Sequence, residues 1–309
     1  MKALETVPSL AGLADELQPM GVTVYRDMVF DEYFDEHASS SIITAYNNID
    51  LYYPDDKLRC NQNIILEKKI GSGSFSDVYL AKLNGQPVAL KILKQFAASG
   101  QHQAFEREIH ALRRLLGNSR TLELVAYRPA PYYWIITKYM NQGTLASRLS
   151  NGPLSTEETL ETLQQLALAL LSLHQMTPPI FHRDVTTENT LFHDGQLRLG
   201  DFGVAVDFPS PVLDGLSPNG NPKYRAPEVR RGSPYDLSAE IYNFGSVLFE
   251  ILAGRPPCVR QSFDINESDV HPGLLRLLNA CWARNPADRP TLEQVLSFLE
   301  ELQRAMCFE

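Results

Sequence analysis

The sequence predicts an α+β protein of two lobes, in which a small, mostly β lobe precedes a larger, mostly α lobe. Strand-like segments fill the first half of the chain, whereas apolar residues in the second half recur at helical spacing. Apolar residues make up 44% of the 309 residues, which is enough for a substantial core. We expect the two lobes to join at residues 138–142.

The predicted small lobe spans residues 62–137 and contains one helix among five strands. The helix is indicated by Phe105, Ile109, Leu112 and Leu116, which repeat every three to four residues. A glycine-rich turn separates the first strand from the second. The strands are expected at Ile64–Leu66, Asp77–Ala81, Val88–Leu93, Leu122–Tyr127 and Tyr133–Tyr139.

The predicted large lobe spans residues 143–305 and is mostly helical. A capping box at Ser155–Glu158 opens its first long helix. Two further helices are expected, one over Ile241–Leu252 and one that begins at Thr291–Gln294. The apolar face of the first long helix consists of Leu163, Leu166, Ala167, Leu170 and Leu173.

Residues 1–61 form an extension that differs from the rest of the chain in being polar, rich in Tyr and locally acidic. One interpretation is a flexible, solvated leader. The other is that the extension docks on the two lobes, because it is more apolar than a disordered tail usually is. Its apolar residues include Val22, Val24, Val29, Phe30, Tyr33 and Phe34.

Composition argues against several classes of function. The net charge of −9 and pI of 5.3 disfavour nucleic-acid binding, and no apolar run reaches the ~18–20 residues that span a bilayer. The start of the chain resembles neither a signal peptide nor a myristoylation site, and Cys307 is third from the end, not fourth as prenylation requires. Four scattered cysteines lack metal-ligand spacing and favour reduced thiols in a cytoplasmic protein.

Two neighbouring motifs concentrate the candidate chemistry. Asp184 follows His182-Arg183 and precedes Asn189 by five residues, and Asp201-Phe202-Gly203 comes shortly afterwards. A short hairpin over Leu191–Leu199 would return the second motif to the first. Together they offer one carboxylate to orient a hydroxyl, and an amide oxygen and a second carboxylate to hold metal ions.

Two further motifs lie in the predicted small lobe. Gly71-Ser72-Gly73 forms a turn between strands, and glycines there let backbone N–H groups approach phosphate oxygens. Lys91 ends Val-Ala-Leu-Lys and needs a carboxylate to hold it, for which Glu108 has the best spacing and Glu106 is the alternative. In isolation, such a turn is more often a simple hairpin, and a strand lysine is more often a solvated edge residue.

These motifs resemble, in order, those of the eukaryotic-type protein kinase family, most closely the tyrosine-kinase-like group of Ser/Thr kinases. Ala226-Pro227-Glu228 and the late segment Cys281–Pro290 complete a set of seven ordered motifs over roughly residues 62–305. The resemblance implies the bilobal protein kinase fold, with one regulatory helix in the small lobe. It also implies transfer of the γ-phosphoryl group of ATP, with Mg²⁺, to Ser or Thr of a protein substrate.

The resemblance also implies roles for individual residues. Asp184, Lys91 and Glu108 would be catalytic, Asn189 and Asp201 would bind metal, and His182 and Phe202 would be packing residues. Arg289 would form a structural salt bridge with Glu228. The nucleotide would be bound by Gly71, Ser72, Gly73, Val78, Ala89, Lys91, Thr137, Lys138, Met140 and Leu191.

Four positions depart from the family pattern. Ser76 replaces a glycine, and Glu240 replaces the aspartate that braces the catalytic loop in the family. Thr186 replaces a lysine and Asn221 replaces the threonine that this lysine contacts. We expect a hydrogen bond between Thr186 and Asn221 to substitute for that contact.

The sequence leaves several alternatives open for specificity, catalysis and regulation. We expect Ser/Thr specificity, with dual or tyrosine specificity as the rival and a pseudokinase that only binds partners as the rival of another class. A small-molecule kinase is disfavoured by the Ala-Pro-Glu and late Arg-Pro segments. Arg183 suggests activation by a phosphate on Ser210 or Ser217, although serines without a regulatory role are equally compatible. The substrate and the oligomeric state stay open.

Overall fold

The computed structural model describes residues 22–23, 44–55, 57–73, 75–94, 99–208, 219–258, 265 and 270–306. The chain divides into two compact units. The small unit consists of the described residues up to His102 together with Leu124–Tyr139, and the large unit consists of those in Gln103–Glu123 and Met140–Glu309. Their architecture is the α+β arrangement that the sequence predicts, with an antiparallel sheet in one unit and helices in the other.

The small unit is built on a seven-stranded antiparallel sheet with the order β1-β2-β3-β4-β5-β7-β6. Strand β2 also pairs with β6 through Tyr52 and Tyr127, so the described strands from β2 to β7 close into a ring. The strands are β1 Val22–Thr23, β2 Thr44–Tyr52, β3 Leu58–Ser72, β4 Ser76–Leu83, β5 Gln86–Leu93, β6 Leu124–Arg128 and β7 Trp134–Lys138.

Strand β2 lies within the segment that the sequence analysis assigns to the extension. Its Ile49 and Leu51 are buried in the apolar core of the small unit, beside Ile64 and Leu90. Full burial of one such side chain contributes about 1.5–3 kcal/mol. Ile49 and Leu51 are therefore part of this core, whereas most of residues 1–43, including the proposed docking residues Val24 to Phe34, lie outside the described residues.

The five predicted strands are present, but their boundaries differ from the prediction, most of all at β3, which runs over Leu58–Ser72 where Ile64–Leu66 was expected. Strand β6 begins at Leu124 because the N–H of Leu122 donates to Leu199 O (2.9 Å) in the large unit. The predicted helix is α1, Ser99–Arg114, with Phe105, Ile109 and Leu112 buried. Leu116 does not continue this face. The helix ends two residues earlier, and Leu116 is 46% exposed.

The large unit contains six further α-helices among its described residues. They are α2 Leu145–Leu149, α3 Thr156–His174, α4 Pro227–Arg230, α5 Ser238–Ala253, α6 Pro272–Cys281 and α7 Leu292–Met306. Short strands complete it, namely β8 Ile180–Phe181, β9 Thr190–His193, β10 Gln196–Leu199 and β11 Val206–Asp207. In the part of the chain that the structure describes, no helix is both long and apolar enough to cross a bilayer.

Two of these helices have the local features that the sequence predicts. The capping box of α3 is present, since Ser155 Oγ accepts from Glu158 N (3.1 Å) and Glu158 Oε2 accepts from Ser155 N (2.8 Å). The predicted apolar face of α3 is buried along its length. Helix α5 is buried over most of its circumference, and it lies behind the loop that carries Asp184.

Candidate active site

The loop that carries Asp184 joins β8 to β9 and contains a left-handed residue. Arg183 has φ of +67°, a conformation that costs energy for any residue other than glycine. Buried Glu240, at the start of α5, compensates by accepting hydrogen bonds at Oε1 from the N–H of His182 (2.6 Å) and of Arg183 (2.9 Å). The side chain of Glu240 therefore braces the loop backbone although it is one methylene longer than an aspartate. Its Oε2 contacts His174 Nε2 at 2.6 Å.

His182 is a buried packing residue, which confirms its expected role. Its Nε2 lies 3.0 Å from Gly200 O, and its Nδ1 accepts from the N–H of Asp184 at 3.3 Å. The ring also packs on Phe202, which is itself buried, with centroids 4.8 Å apart. These contacts fix the segment before Asp201 against the Asp184 loop.

Two residues, Asn189 and Asn221, donate hydrogen bonds to Asp184. Asn189 Nδ2 donates to its Oδ2 (3.0 Å) and to its main-chain oxygen (2.8 Å). The backbone N–H of Asn221 donates to its Oδ1 (2.6 Å). Burial raises the pKa of Asp184, and the charge of Asp201 acts in the same direction, while the N–H of Asn221 and the amide of Asn189 oppose the rise. The structure thus brings Asp184 and Asn189 into direct contact.

The prediction of a hydrogen bond between the side chains of Thr186 and Asn221 is wrong. Thr186 Oγ1 accepts from the N–H of Asn189 (3.2 Å), and Asn221 Oδ1 accepts from the N–H of Lys223 (3.1 Å). The reason is a close backbone approach at Gly220, where a Cβ would lie 2.2 Å from the carbonyl oxygen of Arg183. The segment therefore meets the loop through its backbone N–H, and Gly220 also has φ of +83°.

The β9–β10 hairpin carries the chain from Asn189 to Asp201, as predicted. Leu191–Leu199 pair across an Asp194-Gly195 turn, and the N–H of Gly200 donates to Asn189 O (2.9 Å). Asp201 has φ of +59°, and its Oδ1 accepts from the N–H of Gly203 (3.3 Å). This left-handed residue turns the chain directly after the hairpin.

Helix α1 carries both candidate acids for Lys91, namely Glu108, which the spacing favours, and Glu106, the alternative. Glu108 is 4% exposed, whereas Glu106 lies on the exposed face of the helix. Within the large unit, Arg107 Nε donates to Gly203 O (3.1 Å), which ties the helix to the Asp-Phe-Gly segment. Burial favours Glu108 for the role at Lys91, and the Lys91–Glu108 ion pair stays a prediction.

Asp207, which the sequence analysis did not single out, is a second attachment point for α1. Arg114 contacts its carboxylate and also donates to Pro178 O (2.7 Å). His110 Nε2 lies 3.3 Å from the same carboxylate. One acidic residue of β11 is thus paired with two basic residues of the helix that carries Glu108.

The glycine-rich turn of the small unit is closed by a group of polar contacts. The N–H of Gly73 donates to Ser76 O (2.8 Å), Ser72 Oγ donates to Asp77 Oδ1 (2.7 Å), and Lys94 Nζ donates to Gly73 O (2.7 Å). Burial alone raises the pKa of Asp77, but hydrogen bonds from Lys69 and Ser72 outweigh it and lower the pKa. Ser74 lies outside the described residues.

Four predicted nucleotide-binding residues share one face of the sheet. Val78 pairs with Lys91 across β4 and β5, and Ala89 pairs with Thr137 across β5 and β7. Directly paired residues point to the same face, and so do residues two apart along a strand. Lys138 pairs with Val88 and so belongs to the opposite face.

Met140 and Leu191 lie in the large unit, where Met140 is buried and Leu191 belongs to β9. The segment after Met140 is joined to β9 by two backbone hydrogen bonds, from Gln142 N to Phe192 O (3.2 Å) and from Phe192 N to Gly143 O (2.9 Å). These contacts fix residues 140–143 beside the strand that carries Leu191.

The predicted salt bridge between Arg289 and Glu228 is confirmed. Arg289 Nη1 and Nη2 donate to the two carboxylate oxygens of Glu228 at 2.6 and 2.9 Å, and both side chains are buried. This bidentate geometry is among the strongest that an ion pair adopts. It ties the Ala-Pro-Glu segment to the residues before α7.

Comparison with known proteins agrees with this arrangement. Residues 64–298 match the family model for the protein kinase domain. The chain is 29% identical to the serine/threonine-protein kinase CTR1 of Arabidopsis thaliana, over 79% of this chain and 32% of that protein. It is 28% identical to the dual specificity protein kinase shkC of Dictyostelium discoideum, over 78% of this chain and 52% of that protein.

A third relative covers more of both chains. The serine/threonine/tyrosine-protein kinase HT1 of Arabidopsis thaliana is 26% identical over 87% of this chain and 75% of its own length. The chain spans about a third of the length of CTR1 and about half that of shkC. With well over half of its residues matched by one family model, the chain belongs to the protein kinase family, and within it is most like the tyrosine-kinase-like group.

Proposed function

We propose that this chain is an active protein kinase that transfers the γ-phosphoryl group of Mg·ATP to Ser or Thr of protein substrates. The observation that carries the proposal is the fixed position of the Asp184 carboxylate, held by Asn189 Nδ2 and by the N–H of Asn221. A carboxylate so held would accept a hydrogen bond from the substrate hydroxyl and then take its proton.

The residues around Asp184 fit a magnesium site. Mg²⁺ prefers oxygen ligands and usually shares them with substrate phosphates. Asn189 directs its Nδ2 at Asp184, and its Oδ1 accepts no hydrogen bond from the described residues. We assign Asn189 and Asp201 as the metal-binding residues. When bound, the metal ions neutralise charge on the transferring phosphoryl group.

The small unit would contribute the upper part of the nucleotide site. Val78 and Ala89 would supply apolar surface for the base from the same sheet face as Lys91. Thr137, on that face, would limit the depth of the pocket behind the base. Lys91 would contact the phosphates and Glu108 would hold Lys91. Gly71, Ser72 and Gly73 would cover the phosphates through backbone N–H groups. Backbone groups of Lys138 and Met140, with the side chain of Leu191, would complete the site for the base.

Ser/Thr specificity is our first choice and dual specificity the second. CTR1 is named a serine/threonine kinase, whereas the names of shkC and HT1 include dual or tyrosine specificity. Thr186, in place of a lysine, removes one cation from the position next to the transferred phosphoryl group. The pseudokinase alternative is disfavoured because Lys91, Asp184 and Asp201 are all present.

The test is transfer of labelled γ-phosphate from Mg·ATP to a mixed protein substrate, followed by phosphoamino-acid analysis. Asp184→Ala and Lys91→Ala should abolish transfer, whereas Asp55→Ala and Lys57→Ala, which change an exposed ion pair of the small unit, should leave it intact. Label on Tyr as well as on Ser and Thr would establish dual specificity. Transfer no greater than that of Asp184→Ala would exclude catalysis and favour a binding role.

The proposal extends to the regulation, location and partners of the chain. Phosphate on Ser210 or Ser217 would order the activation segment through Arg183, and both serines lie outside the described residues. A cytoplasmic location is favoured by free Cys60, Cys258 and Cys281 and by the scattered spacing of the cysteines. The acidic net charge makes a protein, not a nucleic acid, the expected partner.

A further inference from the structure

Three buried polar side chains to which the sequence analysis gives no role meet behind the Asp184 loop. Thr187 Oγ1 donates to Glu250 Oε2 (3.0 Å), and the Tyr224 hydroxyl donates to the same oxygen. The two hydroxyl oxygens lie 3.2 Å apart. All three residues are buried, and they come from the loop, the activation segment and helix α5. We call them the Thr187 cluster.

The chemistry of the Thr187 cluster is that of a buried carboxylate held by hydroxyl groups. Burial of an ionised carboxylate is costly unless it is paired or hydrogen-bonded. No ion pair to Glu250 occurs among the described residues, so the two hydroxyls are its compensating partners. Burial raises the pKa of Tyr224 far above its usual range, and the neighbouring Glu250 adds to this, so the phenol stays protonated and donates.

The Thr187 cluster is connected to Asp184 through one short turn. The N–H of Tyr224 donates to Asn221 O (3.1 Å), which closes the turn that presents the Asn221 N–H to Asp184. On the other side, Ser246 Oγ of α5 donates to Tyr224 O (3.3 Å). A hydrogen-bonded path therefore runs from α5 to Asp184 through the activation segment.

We propose that Thr187 and Glu250 are positioning residues, which hold Tyr224 so that the Asn221 N–H keeps the Asp184 carboxylate in its reactive orientation. Thr186 and Asn221 stand where the family has a lysine and a threonine in contact, and their side chains do not contact each other. In this chain the hydroxyl of the next residue, Thr187, fastens the activation segment to the loop instead. The inference rests on the proposed kinase activity.

The test compares three threonine variants in full-length protein. Thr187→Val keeps the shape and removes the hydroxyl, Thr187→Ser restores it, and Thr162→Val removes the hydroxyl of another buried threonine, in α3. Transfer to casein gives kcat and the KM for Mg·ATP. We expect kcat to fall about tenfold or more in Thr187→Val, with KM for Mg·ATP within about twofold. Thr187→Ser should recover most of the rate, and Thr162→Val should equal the wild type.

The outcomes separate this inference from the kinase activity. Wild-type transfer no greater than that of Asp184→Ala would overturn both. Wild-type transfer with an unchanged kcat in Thr187→Val would overturn the positioning role alone, and so would a rate in Thr187→Ser as low as in Thr187→Val. If circular dichroism shows that Thr187→Val is unfolded, Tyr224→Phe removes the other hydroxyl, and full activity of that variant would refute the inference.

Discussion

The buried ion pair between Glu228 and Arg289 gives a stability prediction whose size follows from the structure. The side chain of Arg289 is 0% exposed and that of Glu228 is 5% exposed. Glu228→Gln keeps the shape of the side chain but leaves the guanidinium charge buried without a counter-charge, a change that costs about 3–5 kcal/mol. Arg289 keeps its hydrogen bonds to Ala283 O (3.0 Å) and Ser238 O (3.1 Å). We therefore expect the lower end, about 3 kcal/mol.

Urea unfolding and thermal melting measure this loss. About 3 kcal/mol corresponds to a fall in Tm of roughly 6–12 °C for a unit of this size. The matched control is Glu300→Gln, because Glu300 pairs with Arg304 at 3.2 Å on the exposed face of α7. An exposed ion pair contributes about 0.5 kcal/mol, so Glu300→Gln should leave the free energy of unfolding and the Tm nearly unchanged. If Glu228→Gln were no more destabilising than Glu300→Gln, the reasoning that burial determines the cost of breaking the ion pair would be refuted.

Three other predictions test separate parts of the molecule. Gly220→Ala should abolish phosphoryl transfer, because the added Cβ would collide with the carbonyl oxygen of Arg183. Gly117→Ala should retain activity, because Gly117 has a similar φ but open space around it. Equal activities of the two variants would show that the close approach of Gly220 to the Asp184 loop is unimportant. Leu51→Ala should destabilise the small unit by about 2–5 kcal/mol in urea unfolding, and exposed Leu58→Ala by less than about 0.5; a small loss for Leu51→Ala would mean that β2 is not part of the core. Thr137→Met should weaken inhibitors that extend past this residue, and unchanged inhibition constants would count against its assignment.

The sequence predicted local features well because their partners are close along the chain. The capping box at Ser155 joins residues three apart, and the hairpin that returns Asp201 turns at Asp194-Gly195. Periodicity alone located the buried face of α3. The Glu228–Arg289 pair, 61 residues apart, was reachable only through the family resemblance.

Features that depend on distant partners were missed or wrong. Strand β2 was placed in an extension because, besides its neighbour β3, it pairs with β6 through Tyr52 and Tyr127, which are 75 residues apart. The pairing of Asp207 with Arg114 joins residues 93 apart and leaves no local pattern. The Thr186–Asn221 hydrogen bond was expected from side-chain types, but the approach of Gly220 to the loop determines that the backbone makes the contact.

Glu250 did leave a signal in the sequence, and it shows how such residues can be found. The segment Ile241–Leu252 is apolar on nearly all sides, a pattern that predicts a helix buried all round. A glutamate inside such a helix has to find hydrogen-bond donors, since an isolated buried carboxylate is too costly. Its donors come from Thr187 and Tyr224, whereas Glu240 at the start of the helix takes the loop N–H groups. One buried helix thus supplies both carboxylates that set the conformation of the Asp184 loop, which is why we expect positioning effects from residues that never touch substrate.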